Sequence, residues 1–221
     1  MCINLFYHQI HELNGDAILK EKSLTKLKKL TEILVIDDKE FVFLEALRNH
    51  EFSIQQKYDL TLLSDAAEYD IILCDIRGVG KFLGSEYEGA NLIKSLKVKY
   101  PNKIILAYTA NEYDASFQKY LDYADGIAPK GAYSLEDWVS LLEETLIDCA
   151  DPVKQWERTR NQLLKANVST IDVAKYESQY VKAIKNGSFE SFSKLYGNPK
   201  HTGESIMIDL ASSVIAKLLK A

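Results

Sequence analysis

Residues 33–40 read ILVIDDKE, four branched apolar side chains followed by two adjacent carboxylates, Asp37 and Asp38. A short continuous apolar run is typical of a strand buried on both faces, as in the interior of a parallel sheet. Two like charges at the end of such a strand repel each other and lose hydration unless a positive charge neutralises them. The stretch therefore predicts a buried parallel strand with a cation at its end.

Three further apolar runs adjoin a polar residue: YDIILCD ends at Asp75, KIILAY precedes Thr109, and GIAP precedes Lys130. SIQQ at residues 53–56 is a weaker candidate strand. Segments with helical periodicity alternate with these runs and cover residues 39–50, 59–68, 90–100, 113–123 and 134–147. Ser134 is placed to cap the last of these predicted helices. The alternation predicts an α/β fold, a flavodoxin-like (βα)5 doubly wound parallel sheet with helices on both faces.

The polar residues all follow predicted strands. If the strand order is 2-1-3-4-5, the first and third strands are neighbours, and Asp37, Asp38 and Asp75 converge at their carboxyl ends. Three adjacent carboxylates favour a hard cation such as Mg²⁺, which commonly bridges protein carboxylates to a phosphoryl group. Lys130 and the hydroxyl of Thr109 suit the oxygens of that group. The set predicts phosphoryl transfer onto a carboxylate.

The runs ILVIDD, IILCD, AYTA and APK, in this order, resemble the CheY-like receiver domain of two-component response regulators, over about residues 31–148. The resemblance implies that Asp75 is the phosphoacceptor and that Thr109 and Lys130 bind the phosphoryl group. It also implies an Mg²⁺ site and a sensor histidine kinase or phosphotransfer protein as phosphodonor. A signalling phosphoacceptor of this kind is not an enzyme in the ordinary sense. The implied metal ligands are Asp37, Asp38, Asp75 and the backbone carbonyl of Arg77.

Three features depart from the family pattern. The family usually has Tyr or Phe three residues before the Lys, as the side chain that rotates after phosphorylation, where this chain has Ile127. The usual Pro after the Lys is Gly131, and the loop at residues 77–89 is longer than usual. Without the aromatic residue, coupling would run through Thr109 and residues 111–113. The glycines of this loop match no phosphate-binding motif, so we interpret them as a source of loop flexibility.

Two other functions compete with a phosphorylated receiver. A phosphohydrolase of the haloacid-dehalogenase type would need an acid two residues after Asp75, where this chain has Arg77. Arginine cannot serve as a general acid at neutral pH. A pseudo-receiver scaffold that is not phosphorylated remains open because of Ile127 and Gly131, although the acids, Thr109 and Lys130 argue against it.

The predicted domains are an N-terminal extension at 1–30, a receiver domain at 31–150 and a helical output region at 151–221. A helix seldom continues through the residue before a proline, which favours a boundary near Asp151–Pro152. Charge also changes there, from 16 Lys and Arg against 25 Asp and Glu to 11 against 7. Two stripes of helical spacing predict two amphipathic helices in the tail. They are Val173, Tyr176, Tyr180 and Ile184, and Ile206, Leu210, Val214 and Leu218.

The basic excess of the tail is scattered, which is typical of a solvated face. No basic recognition face follows the possible helix-turn-helix at 175–196, so the pattern favours protein contact, in a homodimer or with a protein partner, over nucleic acid. An atypical DNA-binding transcriptional regulator stays open as an alternative. Since neither a membrane span nor a secretory signal is apparent, we predict a cytoplasmic protein without membrane contact.

Overall fold

The computed structural model describes residues 7–15, 23–84, 87–109, 118–196, 201–211 and 213–220. The chain divides into two compact units. One is Leu24–Cys149, and the other joins the described residues of Met1–Ser23 to Ala150–Ala221. The proposed extension at 1–30 is thus shared between them, because Leu24–Leu30 belongs to the first unit.

The first unit is built on a five-stranded parallel sheet with the order β2-β1-β3-β4-β5. The predicted α/β fold class, a flavodoxin-like doubly wound sheet, is confirmed. Every residue of β3 is buried, as are the last four of β1, which explains why their sequences are continuous apolar runs. The strands are β1 (Glu32–Ile36), β2 (Ser53–Lys57), β3 (Ile71–Asp75), β4 (Ile104–Thr109) and β5 (Gly126–Pro129).

Helices pack on both faces of this sheet. Leu34, Ile72 and Ile105 lie on one face, in a cluster with apolar residues of α3 and α4. Tyr108 lies on the other face, against Trp138 of α5. The helices of this unit are α1 (Leu24–Leu30), α2 (Leu44–Asn49), α3 (Glu88–Lys99), α4 (Gln118–Leu121) and α5 (Leu135–Ala150).

The start of α5 agrees with the sequence. The hydroxyl of Ser134 accepts a hydrogen bond from the backbone N–H of Asp137, and the carboxylate of Asp137 accepts one from the backbone N–H of Ser134. This reciprocal cap satisfies two backbone donors and lowers the pKa of Asp137. The predicted Ser134 cap is confirmed.

The helix predicted at 59–68 is wrong, because only a short 3₁₀ turn forms there, at Leu63–Ala66. The carboxylate of Asp59 accepts hydrogen bonds from the backbone N–H groups of Leu60 and Gly80. A short acidic side chain that bonds to nearby backbone in this way competes with helix formation. The helix predicted at 113–123 is described only from Gln118 to Leu121.

The second unit has more helices than the two predicted. Its described residues form α6 (Pro152–Lys165), α7 (Thr170–Lys185), α8 (Glu190–Tyr196), α9 (Thr202–Ala211) and α10 (Val214–Lys220). The stripe from Ile206 to Leu218 is divided between α9 and α10. Asp151 caps α6, where its carboxylate accepts hydrogen bonds from two backbone N–H groups, and Pro152 occupies the first helical position. None of the helices that the structure describes is long and apolar enough to cross a membrane.

Candidate functional site

Three acidic residues meet at the carboxyl end of the sheet. Asp37 and Asp38 directly follow β1, and Asp75 is the last residue of β3, which pairs with β1. One carboxylate oxygen from each residue lies within 4.8 Å of the other two. Asp37 and Asp75 are buried, whereas Asp38 is exposed. The convergence predicted from the sequence is therefore present.

Lys130 is the cation that faces the two buried acids. It follows β5, and its Nζ lies 2.7 Å from Oδ2 of Asp37 and 2.5 Å from Oδ2 of Asp75. The backbone N–H of Lys130 donates a hydrogen bond to the carbonyl of Thr109, which fixes the start of the loop after β5. One ammonium group thus offsets part of the charge of three carboxylates.

The titration behaviour of the site reflects this imbalance. Burial raises the pKa of Asp75, and the hydrogen bond from Lys130 opposes that effect without cancelling it. Burial would lower the pKa of Lys130, but its hydrogen bonds with Asp37 and Asp75 outweigh burial and raise it. Lys130 is therefore fully charged at neutral pH. Any further positive charge nearby would stabilise the ionised form of Asp75.

Tyr108 contributes an aromatic wall that the sequence did not indicate as part of the site. The Nζ of Lys130 lies 4.9 Å from the centroid of the Tyr108 ring, within the range of a cation–π contact. Burial raises the pKa of Tyr108 to about 12, so its hydroxyl is neutral. The ring also makes edge contacts with Phe41 and Trp138. The only hint in the sequence is an aromatic residue directly before Thr109.

The structure also describes Arg77 and Thr109, the other two residues predicted for the site. The backbone N–H of Arg77 donates a 3.3 Å hydrogen bond to Oδ1 of Asp75, and the Arg77 side chain is exposed. Thr109 is the buried last residue of β4, opposite Pro129 in the register. Residues 111–113, through which we expected coupling, lie outside the described residues. Ile127 is 42% exposed, so position 127 does present a side chain to solvent.

The donor set suits a divalent cation. Carboxylate oxygens from three residues, one of them exposed, match the oxygen ligands that Mg²⁺ and Ca²⁺ take in proteins. Such an ion would add the positive charge that one lysine does not fully supply. The residues are thus compatible with a divalent metal site.

No family model and no curated protein matches the chain. Solved structures with a similar fold are response regulator receiver domains, and the similarity covers about half the chain. The receiver domain of NtrX from Brucella abortus is 13% identical over 52% of this chain and 98% of its own, with a TM-score of 0.42. CheY4 from Vibrio cholerae is 16% identical over 52% of this chain and 97% of its own, also with a TM-score of 0.42.

A response regulator from Burkholderia pseudomallei, solved with a phosphorylated aspartic acid and a calcium ion, is 20% identical. The match covers 66% of this chain and 91% of the Burkholderia protein, with a TM-score of 0.41. The fold assignment rests on the strand order and register of the chain itself, and these similarities add no argument about chemistry.

Proposed function

We propose that the protein is a response regulator whose Asp75 accepts a phosphoryl group in a reaction that requires Mg²⁺. The observation that carries this proposal is the convergence of Asp37, Asp38 and Asp75 at the carboxyl end of the sheet, with Lys130 bridging the two buried acids. A site with a nucleophilic carboxylate, oxygen ligands for a cation and a fixed ammonium group has the parts that phosphoryl transfer needs.

Each residue has a role in this proposal. Asp37, Asp38, Asp75 and the carbonyl of Arg77 would hold Mg²⁺, which would supply positive charge to the phosphoryl oxygens. A carboxylate oxygen of Asp75 forms the new bond to phosphorus, and the leaving group of the donor departs with the electron pair of the broken bond. Lys130 pairs with a phosphoryl oxygen and Thr109 donates its hydroxyl proton to another in a hydrogen bond.

The phosphodonor in this proposal is a sensor histidine kinase or a phosphotransfer protein. The signal leaves through the helical unit by protein contact, in a homodimer or with a partner, and not through nucleic acid. Such a protein would work in the cytoplasm and would not be an enzyme apart from self-catalysed phosphorylation and dephosphorylation. The mild and scattered charge of residues 151–221 supports protein contact as the output.

The test is intact-mass spectrometry after incubation with a small acyl phosphate and Mg²⁺. We expect the mass of one phosphoryl group to be added to the wild-type chain, and nothing to be added to Asp75→Asn or after chelation of the metal. The control variant Asp172→Asn changes a half-exposed acid of the helical unit and should still be modified. Modification of Asp75→Asn would overturn the assignment, and an unmodified wild-type chain would favour the scaffold function instead.

A further inference from the structure

The glycine-rich loop after β3 lies against Asp38 and the end of β3. Gly78 has a φ of +77°, and a Cβ added there would lie 2.4 Å from Oδ2 and 2.5 Å from Cγ of Asp38. Any side chain at this position would overlap the carboxylate. The backbone of Gly78 therefore forms a wall directly beside the exposed metal-site acid.

Glu88 fixes this wall from the other end of the loop. Its Oε2 accepts a 2.6 Å hydrogen bond from the backbone N–H of Gly78. Glu88 is the first residue of α3, and the next residue, Gly89, is so close to β3 that a Cβ there would lie 1.9 Å from the carbonyl oxygen of Asp75. The start of the helix that carries Glu88 is thus held tightly against the strand that carries the proposed phosphoacceptor.

A second carboxylate holds the middle of the same loop. Asp59 accepts hydrogen bonds from the backbone N–H groups of Gly80 and Lys81, at 2.6 and 3.1 Å. The loop backbone is therefore held at two nearby points, at Gly78 by Glu88 and at Gly80 by Asp59. Its position beside Asp38 is determined by contacts from separate parts of the sequence.

We infer that Gly78 and Glu88 are positioning residues for Asp38, which hold its carboxylate in the direction that binds the cation. This inference rests on the proposed function, in which Asp38 is a metal ligand. An exposed carboxylate has several rotamers, and restricting them before the metal binds lowers the entropy lost on binding. Neighbours that orient metal ligands typically change metal affinity by about 10- to 100-fold when they are mutated.

The loop contains its own matched control. Gly84 also has a positive φ, +66°, but nothing lies within 4 Å of a Cβ added there. Alanine at either position has a similar backbone penalty, but only at Gly78 would the added methyl group overlap the carboxylate of Asp38. In Mg²⁺ titrations followed by amide chemical shifts, we expect Gly78→Ala to weaken binding about 10-fold and Gly84→Ala to leave it within about 2-fold.

Glu88 is tested separately in case Gly78→Ala fails to fold. Glu88→Gln keeps an oxygen that accepts the hydrogen bond from Gly78, whereas Glu88→Ala removes it. We expect the Gln variant to retain most of the Mg²⁺ affinity and the Ala variant to lose about as much as Gly78→Ala. A Gln variant as weak as the Ala variant would refute a role for the hydrogen bond.

The Mg²⁺ titrations distinguish a wrong metal site from a wrong positioning role for the loop. If wild-type protein shows no saturable Mg²⁺ binding, the proposed metal site itself is wrong. If wild-type protein binds Mg²⁺ and Asp38→Ala weakens binding, but Gly78→Ala and Glu88→Ala bind as well as Gly84→Ala, the metal site stands and the positioning role of the loop is refuted.

Discussion

Replacing Lys130 with methionine would remove the ammonium group that faces Asp37 and Asp75 and would keep a similar apolar chain. Both carboxylates are buried, with 1% and 7% of their residues' surface exposed, so they cannot recover full hydration when the cation is lost. We therefore expect Lys130→Met to be less stable than the wild-type protein at pH 7 without divalent metal.

The magnitude follows from the geometry. Removing one partner of a fully buried ion pair costs about 3 to 5 kcal/mol, because the other charge stays buried without compensation. The side chain of Lys130 is 22% exposed and Asp38 faces solvent, so water screens part of this effect. We expect a loss of about 2 kcal/mol, which corresponds to a urea midpoint lower by about 1 M for a domain of this size.

The loss should depend on pH and on metal. Burial raises the pKa of Asp75, so its folded form binds a proton more tightly than its unfolded form, and its contribution to stability is lost as the pH rises through the raised pKa. Without Lys130 this pKa rises further. The difference between variant and wild type should then be largest at pH 7 and should shrink toward pH 4. Mg²⁺ at ten times its dissociation constant should restore about 1.4 kcal/mol to the variant.

The assay is urea unfolding followed by circular dichroism at both pH values, with and without Mg²⁺. Lys175→Met removes an exposed lysine whose Nζ lies 3.0 Å from Asp172, and should change stability little because water screens that pair. Equal stability of Lys130→Met and wild type at pH 7, or a loss of the same size at pH 4, would refute the view that buried, uncompensated carboxylates dominate this site.

Two further substitutions, with one control variant, test the stability of the two units by thermal unfolding. Gly89→Ala should be strongly destabilising, by about 3 kcal/mol or more, because its Cβ would lie 1.9 Å from the carbonyl oxygen of Asp75, while Gly187→Ala, with a φ of +61° and no neighbour within 4 Å, should show only the smaller backbone penalty. Asp151→Ala should cost about 1 kcal/mol by removing the cap of α6, and an unchanged melting temperature would show that the cap is dispensable.

The sheet and the main acidic residues could be predicted because their causes are local. A strand buried on both faces must be apolar along its length, so β1, β3 and β4 can be recognised in the sequence as continuous apolar runs. Since parallel strands end at a common edge, the polar residues at the ends of β1, β3 and β5 identified Asp37, Asp75 and Lys130 as neighbours.

The surroundings of these residues could not be predicted, because their causes are contacts between distant segments. Nothing near Asp59 in the sequence indicates that its carboxylate bonds to the backbone of Gly80, an interaction that competes with the helix predicted at 59–68. The glycines of the loop suggested flexibility, whereas Gly78 has a positive φ and lies so close to Asp38 that an added Cβ would overlap its carboxylate. The number of helices in the tail was underestimated, because the break between α9 and α10 leaves the spacing of the apolar residues almost unchanged.

The two tryptophans of the chain give each unit its own optical signal. Trp138, 1% exposed, contacts the ring of Tyr108, which in turn lies 4.9 Å from the ammonium group of Lys130. Trp156 is fully buried in the helical unit and stacks on Tyr180 with 5.7 Å between ring centroids. Replacing either one with phenylalanine would leave an emission spectrum that reports on a single unit. Trp156→Phe would then make the remaining fluorescence a direct probe of events at the acidic site, and Trp138→Phe would show whether the helical unit responds to them.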